Sequence, residues 1–108
     1  MESVYESCLL KEMEIRDIHV SSQVPIPIVY KGFKIDKDYR IDILVENEII
    51  IELKTCDTLL PVHYAQIISY LKLADKRMGF LVNFNVRLIK NGFKRFVNDY
   101  KDIYEDDD

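Results

Sequence analysis

At 108 residues, 48% of them hydrophobic, the chain has the size of one domain and enough apolar side chain to bury a core without disulfide or metal staples. The formal charge of −4 conceals an uneven distribution, because six acids against one lysine stand from Asp99 onward and residues 1–98 hold 14 basic and 13 acidic side chains, so total charge neither identifies nor excludes a phosphate-rich partner. Two isolated cysteines, Cys8 and Cys56, argue against a zinc site or disulfide framework, and the lack of an apolar run near the ~20 residues of a membrane span, or of a leader, gives a cytoplasmic expectation with no membrane partner.

In chain order, Tyr5, Leu9 and Met13 recur at four-residue spacing from Glu2 to about Arg16, with Val4 and Cys8 beside them, which predicts an amphipathic helix. Gln23 to Tyr30 is β-branched and holds Pro25 and Pro27, which suits an edge strand because proline removes ladder donors. Lys31-Gly32 reads as a turn. Tyr39 to Lys54 alternates about a polar break at Glu46-Asn47-Glu48 and is predicted to be a β-hairpin. Centring the turn on Asn47 pairs Val45 with Ile49, Ile43 with Ile51 and Ile41 with Leu53 on one aliphatic face. The other face pairs Leu44 with Ile50, Asp42 with Glu52 and Arg40 with Lys54; a one-residue slip would mix the two faces.

Past Pro61, His63 to Ala74 has helical spacing, with Ile67, Leu71 and Ala74 apolar. Gly79 to Phe84 has the composition of a buried strand. Asn91-Gly92 separates Arg87–Lys90 from Phe93–Val97, which predicts a terminal hairpin. Residues 1–98 are therefore expected to form one domain and residues 99–108 a solvated acidic tail.

The hairpin carries the chemistry. Directly opposed carboxylates on neighbouring strands destabilise a sheet unless something compensates. For Asp42 and Glu52 a divalent cation such as Mg²⁺ or Mn²⁺ would do so, since hard ions favour carboxylate oxygen and water. Lys54, two residues past Glu52, points to the same face and could stabilise a hydroxide or a phosphate. Cross-strand ion pairs among Arg40, Asp42, Glu52 and Lys54 explain the same pattern without a metal. His63, Gln66 and Tyr70 lie on one helical stripe and would line the rim of the acidic pair if that helix packs beside the hairpin.

Asp42, then Glu52-Leu53-Lys54, then Gln66-Ile67-Ile68-Ser69-Tyr70 resemble the D…ExK…QxxxY motifs of PD-(D/E)xK nucleases of the RecB-like and lambda-exonuclease-like branch. Glu2-Ser3-Val4-Tyr5, Gln23-Val24-Pro25-Ile26-Pro27, Tyr39-Arg40-Ile41-Asp42, Leu59-Leu60-Pro61-Val62-His63, Asn83-Phe84-Asn85 and Phe93-Lys94-Arg95 resemble the prokaryotic GxxExxY family within that superfamily. That motif's glycine would precede Met1, so the chain is expected to be shorter at its start than its relatives. The resemblance implies an α/β, restriction-endonuclease-like core, a mixed central sheet flanked by helices in the order α-β-β-β-α-β before the terminal hairpin. It further implies metal-dependent phosphodiester hydrolysis in nucleic acid, with DNA the expected substrate. Asp42, Glu52 and the Leu53 main-chain carbonyl would hold Mg²⁺ or Mn²⁺, with Glu2 as a further candidate, and Lys54, Gln66 and Tyr70 would complete the catalytic set. Arg40, His63, Lys90, Lys94 and Arg95 are candidates for phosphate contacts, and so small a chain is compatible with a homodimer. The alternative is a non-catalytic nucleic-acid-binding or assembly domain that keeps the nuclease fold.

Overall fold

The computed structural model describes residues 2–35, 39–85, 92–99 and 102–106 of the chain. Helix α1 (Glu2–Ile15) lays Leu9, Leu10 and Met13 against the sheet. The stripe is the expected one, but its flank is Leu10, while Val4 and Cys8 are exposed. The chain then forms β1 (Val20–Pro25), β2 (Ile28–Tyr30), β3 (Phe33–Ile35), β4 (Arg40–Val45) and β5 (Ile49–Lys54). Helix α2 (Pro61–Ala74) follows, then β6 (Met78–Asn83), β7 (Phe93–Asn98) and β8 (Ile103–Asp106). Pro61 opens α2 where a missing N–H costs nothing. Asp75, in the left-handed conformation with φ 53°, closes it.

Six strands make one sheet in the order β1-β4-β5-β6-β7-β8, and β2 and β3 form a separate ribbon. Among the described residues only β5 and β6 pair in parallel, and α2 is the crossover that a parallel pair needs. Both faces are covered. Helix α1 packs over Ile43, Ile51, Leu53 and Val82, and α2 sets Ile67, Tyr70 and Leu71 against Leu44, Ile50, Leu81 and Phe96. Gly79 permits the second contact: a Cβ there would stand 3.0 Å from Ile67 Cδ1 and 3.3 Å from Leu71 Cδ2. This is the expected mixed α/β, restriction-endonuclease-like architecture.

Three details differ from the sequence reading. The single strand expected over residues 23–30 is two, because Pro25 and Pro27 bracket a break in donors and the left-handed Lys31 (φ 48°) and Gly32 (φ 81°) fold β2 back on β3. The stretch expected as a solvated tail contributes β8, paired with β7 through Asn98–Ile103 to Arg95–Asp106. Ile103 packs against the core, and Glu105 and Asp106 meet basic residues of β7, so these two charges are locally neutralised. Ile41 joins the cluster of Leu44 and Tyr70 rather than that of Ile43, because the hairpin changes character at Asp42. The outer strand of the expected terminal hairpin, Arg87–Lys90, lies outside the described residues.

Candidate active site

The turn at Glu46 and Asn47, both left-handed (φ 52° and 58°), sets the register of β4 on β5 as expected: Val45 opposes Ile49, Leu44 opposes Ile50 and Ile43 opposes Ile51. The Cα ladder then stops, and the expected pairs from Asp42–Glu52 to Arg40–Lys54 are not part of it. In its place Leu53 N–H donates to Asp42 Oδ2 at 2.9 Å, and Asp42 N–H makes a long approach of 3.4 Å to Glu52 Oε1. A side chain has taken over a strand-to-strand bond. The two strands part at this point, while β5 continues to pair with β6 through Glu52–Leu81, Leu53–Val82 and Lys54–Asn83.

This arrangement puts two acids in one place out of water. Glu52 is 1% exposed, and Asp42 is half-buried. Burial, reinforced by the Asp42 carboxylate and by a hydrogen bond to it, pushes the Glu52 carboxyl up to about 9. Lys54, half-buried at the end of β5, pulls the other way with less effect. The pair is therefore short of positive charge, and burial favours the protonated form of Glu52.

Helix α2 brings a phenol and an amide to it. Burial raises the Tyr70 hydroxyl, the amide of Gln66 lowers it, and the Glu52 and Asp42 carboxylates, in the alkaline range where a phenol titrates, raise it again. Gln66 Nε2 donates to Tyr70 Oη at 3.2 Å, so the Tyr70 proton is left to point elsewhere. Tyr39, just before β4, tilts its ring toward Tyr70 at 6.2 Å between centroids. His63, on the same stripe, spends its Nδ1 on the helix start by accepting the Leu60 N–H at 2.9 Å, and its main-chain N–H donates to Leu60 C=O.

The remaining candidates are more scattered. Arg40 begins β4 opposite Pro25 and is exposed. Glu2 is exposed in the first turn of α1; one turn on, Glu6 accepts from Gln23 Nε2 at 3.1 Å, and Gln23 falls opposite Asp42 between the register pairs Ser22–Ile43 and Val24–Ile41. The start of α1 thus lies at the Asp42 end of the sheet. Lys94 and Arg95 on β7 pair with Glu105 at 3.8 Å and Asp106 at 2.9 Å. Lys90 lies outside the described residues.

One residue of the site's framework was not singled out for a role in sequence. Asn83, 1% exposed, accepts from Cys56 N–H at 3.2 Å and Asn85 N–H at 3.1 Å, and donates to Cys56 C=O at 2.8 Å. It ties the end of β6 to the chain just past Lys54, where Phe84 N–H also donates to Lys54 C=O, and the Phe84 ring stacks on Tyr5 at 4.5 Å. A lone amide closing the apolar run Gly79–Val82 is its signature in sequence.

Among the described residues no group of three or more His, Cys, Asp or Glu side chains could hold a metal. Two carboxylates with main-chain and water oxygens are a donor set that Mg²⁺ accepts, and a pair short of positive charge fits such an ion. No helix among the described residues is long and apolar enough to cross a membrane. A family model described as the PD-(D/E)XK nuclease superfamily matches residues 1–96. No curated protein and no solved structure matches the chain significantly.

Proposed function

We propose, from the premise that the chain belongs to the PD-(D/E)XK nuclease superfamily, that it is a metal-dependent deoxyribonuclease of the GxxExxY type. Nucleic acid is the substrate class of the superfamily, whose members generally use divalent metals. The observation that carries the reading is the buried pair, in which Asp42 accepts the Leu53 N–H and crowds a Glu52 raised to about 9. A fold that merely paired surface charges would have no reason to bury one acid beside another.

Asp42, Glu52 and the Leu53 carbonyl would hold Mg²⁺ or Mn²⁺. Such an ion, when bound, supplies a Lewis acid for the phosphate and acidifies a water. Glu52 would have to be deprotonated to serve as a ligand. Lys54 presents an ammonium on the same edge, positioned to steer a water or neutralise a phosphate oxygen. Tyr70, its oxygen held by Gln66, remains a neutral donor at physiological pH and orients Lys54 or the phosphate. Arg40, exposed at the mouth of the hairpin, is the basic residue best sited to contact a flanking phosphate. Glu2 is a further candidate for the ion from the start of α1.

The test is hydrolysis of end-labelled single- and double-stranded DNA with Mg²⁺ or Mn²⁺, with Asp42→Ala and Lys54→Ala beside the parent. Cleavage should fall at least about 100-fold in either variant. Equal cleavage by parent and Lys54→Ala would overturn the mechanism, and binding without cleavage under both ions would leave a nucleic-acid-binding domain on a nuclease fold.

A further inference from the structure

The ribbon of β2 and β3 stands apart from the main sheet, but its foot is built into the site. Ile26, buried at that foot, donates its N–H to Tyr39 C=O at 2.9 Å and packs in the same cluster as Tyr70. Tyr39 leads directly into Arg40, Ile41 and Asp42. The ribbon therefore leaves the body beside the acidic pair.

Its register pairs Tyr30 with Phe33 and Ile28 with Ile35, which puts these four on one face, and Val29 with Lys34 on the other. The two rings at the tip are uncovered, Tyr30 at 61% and Phe33 at 74% exposure. An isolated two-stranded ribbon is marginally stable in water, so two bare aromatic rings on one need an occupant to justify them. The surrounding charge says which. Lys31 sits in the turn with Nζ 5.5 Å from the Tyr30 ring centroid, Lys34 follows Phe33, and the ribbon itself, residues 28–35, carries no acid, the first being Asp36 past its end.

We propose that this ribbon is a stacking arm for single-stranded nucleic acid, with bases resting on Tyr30 and Phe33 while Lys31, in the turn between them, neutralises a neighbouring phosphate and Lys34, on the opposite face, adds to the positive field. The proposal rests on the nuclease reading of the site and adds to it the form in which substrate arrives. Aromatic faces accept any base, so the arm is sequence-tolerant. Its three-residue strands reach about 10 Å from foot to tip, so a strand held on the rings continues into the site. A second copy of this chain accounts for the face less well, because a two-fold contact there would bring the lysines of both copies together.

Phe33→Trp in the full chain supplies a reporter. With EDTA present, oligothymidylate should quench it, whereas an abasic oligonucleotide of equal length should not. Tyr30→Ala with Phe33→Ala should weaken oligothymidylate binding about tenfold or more, with thermal melting and Mn²⁺ binding at Asp42 and Glu52 unchanged. Undiminished binding by that double variant overturns the arm and leaves the nuclease reading standing. A halved sedimentation mass in the double variant also overturns it, by assigning the face to a second copy. A parent chain that neither binds nor cleaves any oligonucleotide overturns both.

Discussion

Two carboxyl groups in one dry position cannot both ionise without a countercharge, and the Asp42–Glu52 pair turns that rule into a proton count. The Glu52 value of about 9 against 4.5 in the unfolded chain means that the folded, metal-free protein keeps a proton at neutral pH that the unfolded chain has released. The sign follows from the raised folded value: this contribution to stability is complete below pH 4.5 and is lost progressively as pH rises toward 9. Melting temperature in EDTA should fall across that window, and Glu52→Gln should flatten the dependence. Divalent-ion binding reverses the preference, since the ligand must be deprotonated. Calorimetric titration with Mn²⁺ at pH 7, repeated in buffers of different ionisation enthalpy, should therefore show release of about one proton per ion. Asp42→Ala should abolish both binding and release. Tight binding with no proton released would show that Glu52 is already ionised and that the pair is wetter than its burial indicates.

Between elements, the critical contact is α2 on β6, because it holds Gln66 and Tyr70 over the acids. The absence of a side chain at Gly79 sets its closeness, with Ile67 and Leu71 occupying the space a Cβ would need. Gly79→Ala should cost about 1–3 kcal/mol by overpacking, read as a lower denaturant midpoint, and should reduce cleavage beyond what that loss explains because Tyr70 is displaced. An unchanged midpoint would mean that Ile67 swings aside freely. How much of this was legible in sequence differs by element. The β4–β5 register could be read because Asn47 and strict alternation leave one pairing that keeps the faces separate. The end of that ladder could not, since periodicity says nothing about when a carboxylate will replace a carbonyl as the partner of Leu53 N–H. The spacing of Gln66 and Tyr70 gave the stripe, while His63, on the same stripe, is occupied at the Leu60 cap by a local bond that no periodicity distinguishes. The turn of the arm at Lys31-Gly32 is legible in composition, whereas the break between β1 and β2 at Pro25 and Pro27 is not, because composition registers the prolines but not where pairing with β4 ends.

At the scale of the whole molecule, the near-neutral body and the acidic end meet in one sheet rather than lying side by side as domain and tail. Strand β8 brings Glu105 to Lys94 and Asp106 to Arg95, and all four side chains are about one-third exposed or less. Pairs of this kind contribute only about 0–1 kcal/mol each to stability, so their larger effect is on the field outside the protein. They mask two of the positive charges that sequence alone nominates for phosphate contact. Glu105→Gln with Asp106→Asn should leave the fold intact, with the melting temperature changed little, while Lys94 and Arg95 lose those two partners. If that strip faces nucleic acid, affinity for duplex DNA at low salt should rise, and the plot of log affinity against log salt should steepen by about 1–2, since each phosphate neutralised contributes about 0.9. A slope equal to that of the parent would place β7 away from the nucleic-acid path, leaving Arg40 and Lys31 of the β2–β3 arm to carry the phosphate contacts at the other edge of the sheet.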